Sequence, residues 1–358
     1  MIKYLGSKRA LAGVLGTLAQ GSGARTAVDL FTGTTRVAQE FKRRGLAVTA
    51  ADLASYSEVL ARCYIATDAD AVDADELDAL LAELNALPGR RGYVTETFCE
   101  QARFFQPHNG ERIDAIRDCL VGLADHPLYP VLLTALMEAA DRVDNTTGQH
   151  MAYLKSWAPR SSNELRLRAS TLLPGTGLVV RGDALQVAQQ LPPSDLVYLD
   201  PPYNQHRYFS YYHIWETLVR WDSPSHYGVA CKREDARGDA NASAFNSRRR
   251  MPAALAALIG EVRAETVVVS YNDEAWVTPE QIVGWLRDAG HATVELLAFD
   301  SRRYVGSRIG IYNHLGEKVG KVSHTRNVEY VFVAGTADRV GAALAALAER
   351  DPAEAGVR

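Results

Sequence analysis

The sequence predicts an α/β protein: an open, largely parallel sheet with helices on both faces, interrupted once by a mostly helical lobe. Three observations carry this reading. Short apolar runs ending in glycine turns or aspartates recur in both halves of the chain, the stretches between them hold helical spacing, and the strand signal stops between residues 56 and 168.

Residues 1–55 read as loop, helix, strand, glycine turn, helix, strand. The apolar run at 27–31 ends in Thr32-Gly33-Thr34-Thr35; Val37, Ala38 and Phe41 follow at helical spacing, Gly45 supplies the stop, and a second strand at 47–51 ends at Asp52. This is a βαβ unit. Residues 56–175 form the inserted helical lobe, with an acidic run from Asp68 to Glu83 that reads as a solvated helix face. Arg90-Arg91-Gly92-Tyr93 and Arg103-Phe104-Phe105 mix cations with aromatics, which suits either a nucleic-acid surface or an ordinary amphipathic edge. The sheet resumes at 178–180 with Asp183 just beyond, so the sheet domain comprises residues 1–55 and 176–340. The next strand, at 195–199, runs into Asp200. Residues 205–251 carry too little apolar periodicity for core and read as a long loop region. Strands at 266–270, 293–299 and 328–333, a helix around Ile282, Trp285 and Leu286, and an alanine-rich tail complete the chain.

A chain of 358 residues with 47% hydrophobic and 23% charged residues is neither disordered nor a small disulfide scaffold. No apolar run is long enough to span a membrane, and charges and glycines stand where a secretory signal needs its apolar stretch, so the expectation is a cytoplasmic protein. The scattered Cys63, Cys99, Cys119 and Cys231 read as reduced thiols. Neither they nor His206, His213 and His226 have zinc-ligand spacing, so no metal site is expected. A net charge of −4 argues against coating nucleic acid over the whole surface but leaves room for a basic cleft.

Four polar sites fall at the carboxyl ends of predicted parallel strands: 31–35, Asp52, Asp183 and Asp200. Open α/β sheets bind ligands at that edge. Gly33 permits close approach of a ligand, yet the full phosphate fingerprint is missing, which disfavours a pyrophosphate cofactor. Asp52 is placed either to accept from ribose hydroxyls or to cap a helix. Asp200-Pro201-Pro202-Tyr203 is the most specific feature. Two prolines stiffen the turn, and a carboxylate beside a fixed carbonyl can accept both hydrogens of a planar exocyclic amine, freeing its lone pair while Tyr203 stacks on the base. Ser270-Tyr271-Asn272-Asp273 either lines the base pocket or forms a capped turn.

The chain resembles the Dam-like class of N6-adenine-specific DNA methyltransferases, the alpha class with a DPPY motif. The likeness rests on Asp200-Pro201-Pro202-Tyr203, Phe31-x-Gly33 and Lys3-Tyr4-Leu5-Gly6-Ser7-Lys8, in the family's motif order. It extends to Phe105-x-Pro107-x-Asn109-Gly110-x-Arg112-Ile113-Asp114, to Asn145-Thr146-Thr147-Gly148 and to residues 316–321. The resemblance implies a Rossmann-like methyltransferase sheet, S-adenosylmethionine as cofactor, and N6 of an adenine flipped out of double-stranded DNA as target. Tyr4 and Lys8 would flank the methionine end of the cofactor, Phe31 and Gly33 its binding turn, Asp52 its ribose and Asp183 its adenine edge, with Asp200 between cofactor and amine. The helical lobe would recognise the target. Arg248, Arg249 and Arg250, with Arg302, Arg303 and Arg308, would hold phosphates, unless these arginines are simply solvated. The resemblance implies either a restriction-modification system, with a separately encoded restriction endonuclease as functional partner, or a stand-alone methylation system. Tyr4 stands where the family often has tryptophan, and Thr35 replaces the second glycine of FxGxG, which suits threonine only with negative φ. The same fold acting on cytosine N4, on RNA or on a protein amide, and a catalytically silent DNA-binding module, are the competing readings; aspartate at the first motif position favours adenine.

Overall fold

The structure is a computed structural model that describes residues 1–202, 207–238, 243–302, 311–312, 318–320 and 326–349. A seven-stranded sheet forms its centre, built from β1 (Thr26–Asp29), β2 (Ala47–Asp52), β3 (Leu178–Arg181), β4 (Ser194–Leu199), β5 (Ala264–Asn272), β6 (Thr293–Arg302) and β7 (Arg326–Gly335). Their order across the sheet is β3-β2-β1-β4-β5-β7-β6. Pairings from β3 to β5 are parallel, whereas β7 runs antiparallel to both β5 and β6. From β1 the chain builds outward to β3 and then returns to place β4 on the other flank of β1. That reversal opens a crevice between the carboxyl ends of β1 and β4.

Helices cover both faces. Alternate strand residues point opposite ways, so Ala27, Val48, Leu196, Tyr198, Val268 and Val331 join one core cluster while Val28, Ala51, Val197, Leu199, Val267 and Phe332 join the other. The first cluster packs α1 (Ala12–Gly21), α2 (Arg36–Arg43) and α3 (Ser55–Ala61), and the second packs α7 (Ala184–Gln190), α10 (Met251–Glu261) and α11 (Pro279–Asp288). Gly45 ends α2 with φ of +84°, a conformation that suits a residue without Cβ. The terminal α12 (Ala337–Ala348) packs on α1.

No described strand interrupts the chain between β2 and β3. The stretch holds α4 (Ala74–Ala86), α5 (Pro107–Val121) and α6 (Tyr129–Val143), and Phe98, Ile113 and Leu132 join the same core cluster as the first sheet face. The acidic run has a local cause. Asp73 caps α4 by accepting from the backbone of Asp75 and Glu76, and those two acids sit in the first turn, where negative charge suits the helix dipole. In the cation–aromatic mixtures Arg90 pairs with Asp118 and Arg91 with Glu96 and Glu100 at the surface, while Phe104 and Phe105 are buried. Asn109 and Asp114 are architectural. Asn109 holds the segment after α6 through Ser161, Asn163 and Leu165, and Asp114 accepts three backbone N–H groups from 92–95.

The expectation of a loop region over 205–251 needs correction. Residues 208–211 and α9 (His213–Arg220) are helical, and Tyr212, Ile214, Trp215 and Leu218 are fully buried core residues. α8 (Tyr208–Tyr211) is only one turn long; α9 does set Ile214, Trp215, Leu218 and Val219 at helical spacing opposite His213, Glu216, Thr217 and Arg220, but over two turns alone, and the fold buries most of its polar half as well. Arg233, also buried, grips Asp222 with two 2.7 Å bonds and ties the segment after α9 together. Among the described residues no helix is long and apolar enough to cross a membrane.

Candidate active site

One pocket occupies the crevice at the carboxyl ends of β1 and β4. Tyr4, Lys8, Phe31, Gly33, Asp52, Asp183, Asp200, Pro201 and Pro202 all line it, so most of the sequence-derived candidates converge. Tyr203, His206, Arg303 and Arg308 lie outside the described residues. Arg302 closes β6, and Arg248, Arg249 and Arg250 form an exposed turn just before α10. Phe245 and Asn246, a few residues before that turn, line the pocket.

The turn after β1 is held by the end of β2. Asp52 Oδ2 accepts the backbone N–H of Gly33 at 2.8 Å, and Oδ1 accepts that of Ala54 at 3.0 Å. Burial raises the Asp52 pKa, and these N–H groups oppose the rise. Gly33 has φ of +50°, and a Cβ there would stand 3.2 Å from Cε1 of Tyr4. Thr35 departs from expectation: its φ is +64°, in the left-handed region. Its hydroxyl is engaged on both sides, donating to Thr34 O and accepting from Gln39 Nε2, each at 2.7 Å. Asp183 caps α7, accepting from Leu185 N at 3.0 Å, while also lining the pocket.

Asp200 sits at the centre of the charge arrangement. Lys8 Nζ lies 3.0 Å from its Oδ1 and 2.5 Å from Oε1 of Glu329 on β7. Burial pushes the Asp200 carboxyl up to about 6; Lys8 opposes the rise and Glu329 adds to it. Asp29, buried at the end of β1, is pushed up to about 8 by burial, with the charges of Asp200 and Asp52 contributing. Sequence reasoning missed Glu329 and Asp29 because both lie inside apolar strands. Ser270 to Asp273 do not line this pocket; Ser270 accepts from Tyr198, and Asn272 donates to Glu329 at 3.3 Å.

One wall is aromatic. Tyr4 lies nearly parallel to Tyr208 and Tyr212, with ring centroids 5.3 and 4.6 Å away. Its hydroxyl meets that of Tyr56 at 3.3 Å, so a tyrosine fills this position with its polar end partnered. Phe31 meets Phe245 edge-on at 5.1 Å. Of the candidate histidines, His213 is buried against His150 O and His226 bonds Gln101; among the described residues no three potential metal ligands come together.

A switch-point pocket with acidic acceptors at successive strand ends and an Asp-Pro-Pro turn defines a Rossmann-like α/β protein with its ligand crevice at the carboxyl edge of the sheet. The chain belongs to the D12 class N6 adenine-specific DNA methyltransferase family, which matches residues 4–283. It is 28% identical over 339 residues to the type II methyltransferase M.NlaIII of Neisseria lactamica, covering 90% of this chain and 98% of that protein. It is 26% identical to the modification methylase StsI of Streptococcus sanguinis over 86% of this chain, and 28% identical to the type II methyltransferase M.FokI of Planomicrobium okeanokoites over 75%. The aligned regions cover 50% and 43% of those two longer proteins. The reaction is methylation of adenine N6 in DNA, and the cytosine, RNA, protein and silent-binder readings give way to it.

Proposed function

We propose that the chain takes its methyl group from S-adenosylmethionine and delivers it to an adenine flipped out of double-stranded DNA. The observation that carries this reading is the convergence of Asp52, Asp183 and Asp200 on one pocket beside the Pro201-Pro202 turn. Three acidic acceptors suit a cationic nucleoside with hydroxyl and amine donors far better than a phosphate. Asp52 receives the ribose hydroxyls, Asp183 the adenine edge, and Phe31 with Phe245 the flat face of the ring. Tyr4 and Lys8 border the methionine end, with the Gly33 turn providing close backbone approach.

The cofactor, when bound, supplies an electrophilic methyl group. The chain's work is alignment. Asp200 and the turn carbonyls accept the hydrogens of N6, directing the amine lone pair toward the methyl carbon and away from the ring. The carboxylate then takes the proton that N6 sheds after transfer, and a carboxyl raised to about 6 is ionised at neutral pH yet basic enough for this role. Extruding the base requires a stacking partner, a role assigned to Tyr203.

The enzyme acts in the cytoplasm as the modification partner of a separately encoded restriction endonuclease, a reading supported by the modification methylases among its relatives. The helical lobe at 56–175 and the region at 205–251 supply target recognition, and the arginine turn at 248–250, with Arg302 and Arg303, supplies phosphate contacts. The test is transfer of labelled methyl from S-adenosylmethionine to unmethylated duplex DNA, followed by nucleoside identification. Label in N6-methyladenine that disappears in Asp200→Ala supports the assignment; undiminished turnover by that variant overturns it.

A further inference from the structure

Three side chains from distant parts of the sequence meet at the pocket, two of them, Lys8 and Asp200, in its lining. Lys8 comes from the amino-terminal segment, Asp200 from the end of β4 and Glu329 from β7; their side chains are 8%, 17% and 9% exposed. An ammonium shared by two carboxylates leaves one net negative charge in a poorly solvated site, an arrangement that desolvation disfavours unless each group has defined partners. Glu329 has them. Its Oε1 takes the shorter contact with Lys8, 2.5 Å against 3.0 Å to Asp200, and its Oε2 accepts from Asn272 Nδ2 at 3.3 Å. Asn272 lies opposite Glu329 in the β5–β7 register, and its own Oδ1 accepts from Glu274 N at 2.9 Å. The carboxylate and its amide partner are thus anchored on paired strands.

We propose that Glu329 is a positioning residue for methyl transfer: by drawing the Lys8 ammonium toward β7, it leaves Asp200 oriented and available to accept from the target amine. The proposal rests on the reading that Asp200 receives N6. If Lys8 had Asp200 as its sole counter-charge, its ammonium would compete with the incoming amine for the same carboxylate. With Glu329 present, the ammonium has a second seat and can yield Asp200 as the amine docks. Among the described residues, the charged and titratable groups facing Asp200 are Lys8 from the amino-terminal segment, Glu329 from β7, Asp29 from β1 and Tyr198 from β4. Among them Glu329 combines negative charge with direct contact to Lys8.

The test is Glu329→Gln, which keeps shape and an acceptor oxygen while removing the charge, compared with Glu329→Asp, which keeps the charge. The glutamine variant is expected to lose about 10- to 100-fold in kcat, the scale associated with misplacing a reacting group. Its affinities for S-adenosylhomocysteine and duplex DNA, measured by calorimetry and fluorescence anisotropy, are expected to stay within about threefold, below the tenfold that 1.4 kcal/mol represents. The acid limb of its kcat–pH profile should move to lower pH, because removing a negative neighbour makes Asp200 easier to ionise. The aspartate variant should keep the wild-type acid limb and recover part of kcat. A glutamine variant with wild-type kcat and an unmoved acid limb overturns the proposal. If that variant does not fold, Asn272→Ser, which loosens the same carboxylate, is read in its place: lower kcat at unchanged ligand affinity supports the proposal, and wild-type kcat overturns it. Asp200→Asn, run in parallel, separates the two levels. An active Asp200→Asn removes the role of Asp200 itself, whereas an inactive one beside a wild-type-like Glu329→Gln removes only the role of Glu329.

Discussion

The backbone N–H of Gly33 donates to Oδ2 of Asp52 at 2.8 Å, locking the turn after β1 to the end of β2. One carboxylate therefore does two things, shaping the turn and presenting lone pairs to the pocket. Asp52→Ala should lose both. The expected result is at least tenfold weaker binding of S-adenosylhomocysteine by calorimetry, together with destabilisation of about 1–3 kcal/mol for the backbone donors left without a partner. Asp52→Asn, which retains a single acceptor oxygen, should fall between wild type and the alanine variant. Binding by the alanine variant at wild-type affinity would show that the pocket does not use this carboxylate.

Thr35 holds φ of +64° in the same turn, a conformation disfavoured by about 1–2 kcal/mol for a residue with a Cβ. Thr35→Gly relieves that strain but gives up the hydrogen bond from Gln39 and adds freedom to the unfolded chain. The net expectation is a stability gain of about 0.5 kcal/mol, seen as a small rise in Tm, with ligand affinity kept. A clear drop in Tm would mean that the Gln39 hydrogen bond outweighs the backbone strain.

How much of this was legible in the sequence depended on the range over which each feature is encoded. The β1–turn–α2–β2 unit was readable because its signals are local: apolar runs, a glycine turn, a helical period and Gly45 at the stop. Asp200 was readable because a stiff turn after an apolar strand is itself unusual. The helix α9 was hidden because its helical spacing lasts only two turns between segments that lack one, and its buried His213 and Glu216 look like surface residues in a one-dimensional pattern. Glu329 left a signal, a carboxylate within an otherwise apolar run, but its meaning depends on β7 entering between β5 and β6. Nothing local to residues 326–335 states which strands flank them. Thr35 shows the converse: the sequence identified the departure, while the sign of its φ emerged only from the fold.

The carboxyl of Asp29 makes stability depend on pH. Its pKa is about 8 in the folded protein against 3.8 when unperturbed, so between those values the folded state retains a proton that the unfolded state releases. Stability from this group is therefore full below the unfolded pKa and declines as pH rises toward 8. Asp29→Asn removes the titration. The variant should gain on the wild type as pH rises through that window, by up to about 1.4 kcal/mol per pH unit, and the gain should level off above it. Denaturant midpoints at a series of pH values measure this directly, and a difference between the two proteins that does not change with pH would rule the mechanism out.

Arg248, Arg249 and Arg250 stand exposed immediately before the amino end of α10, and among the described residues none of them forms an ion pair. Positive charge at a helix amino terminus is unfavourable by the helix dipole, so this turn is better accommodated with an external anion beside it. Phe245 and Asn246 place the turn next to the pocket mouth, where a flipped-out base would leave its phosphates nearby. If the turn holds those phosphates, replacing all three arginines by serine should weaken DNA binding alike for cognate and unrelated duplexes. The slope of log affinity against log salt should flatten by about 0.9 for each phosphate that the variant no longer neutralises. Turnover of the DNA-saturated enzyme should change little, because Asp200 and its partners are untouched. An unchanged salt slope would take the turn out of the DNA interface and leave its charges to solvent.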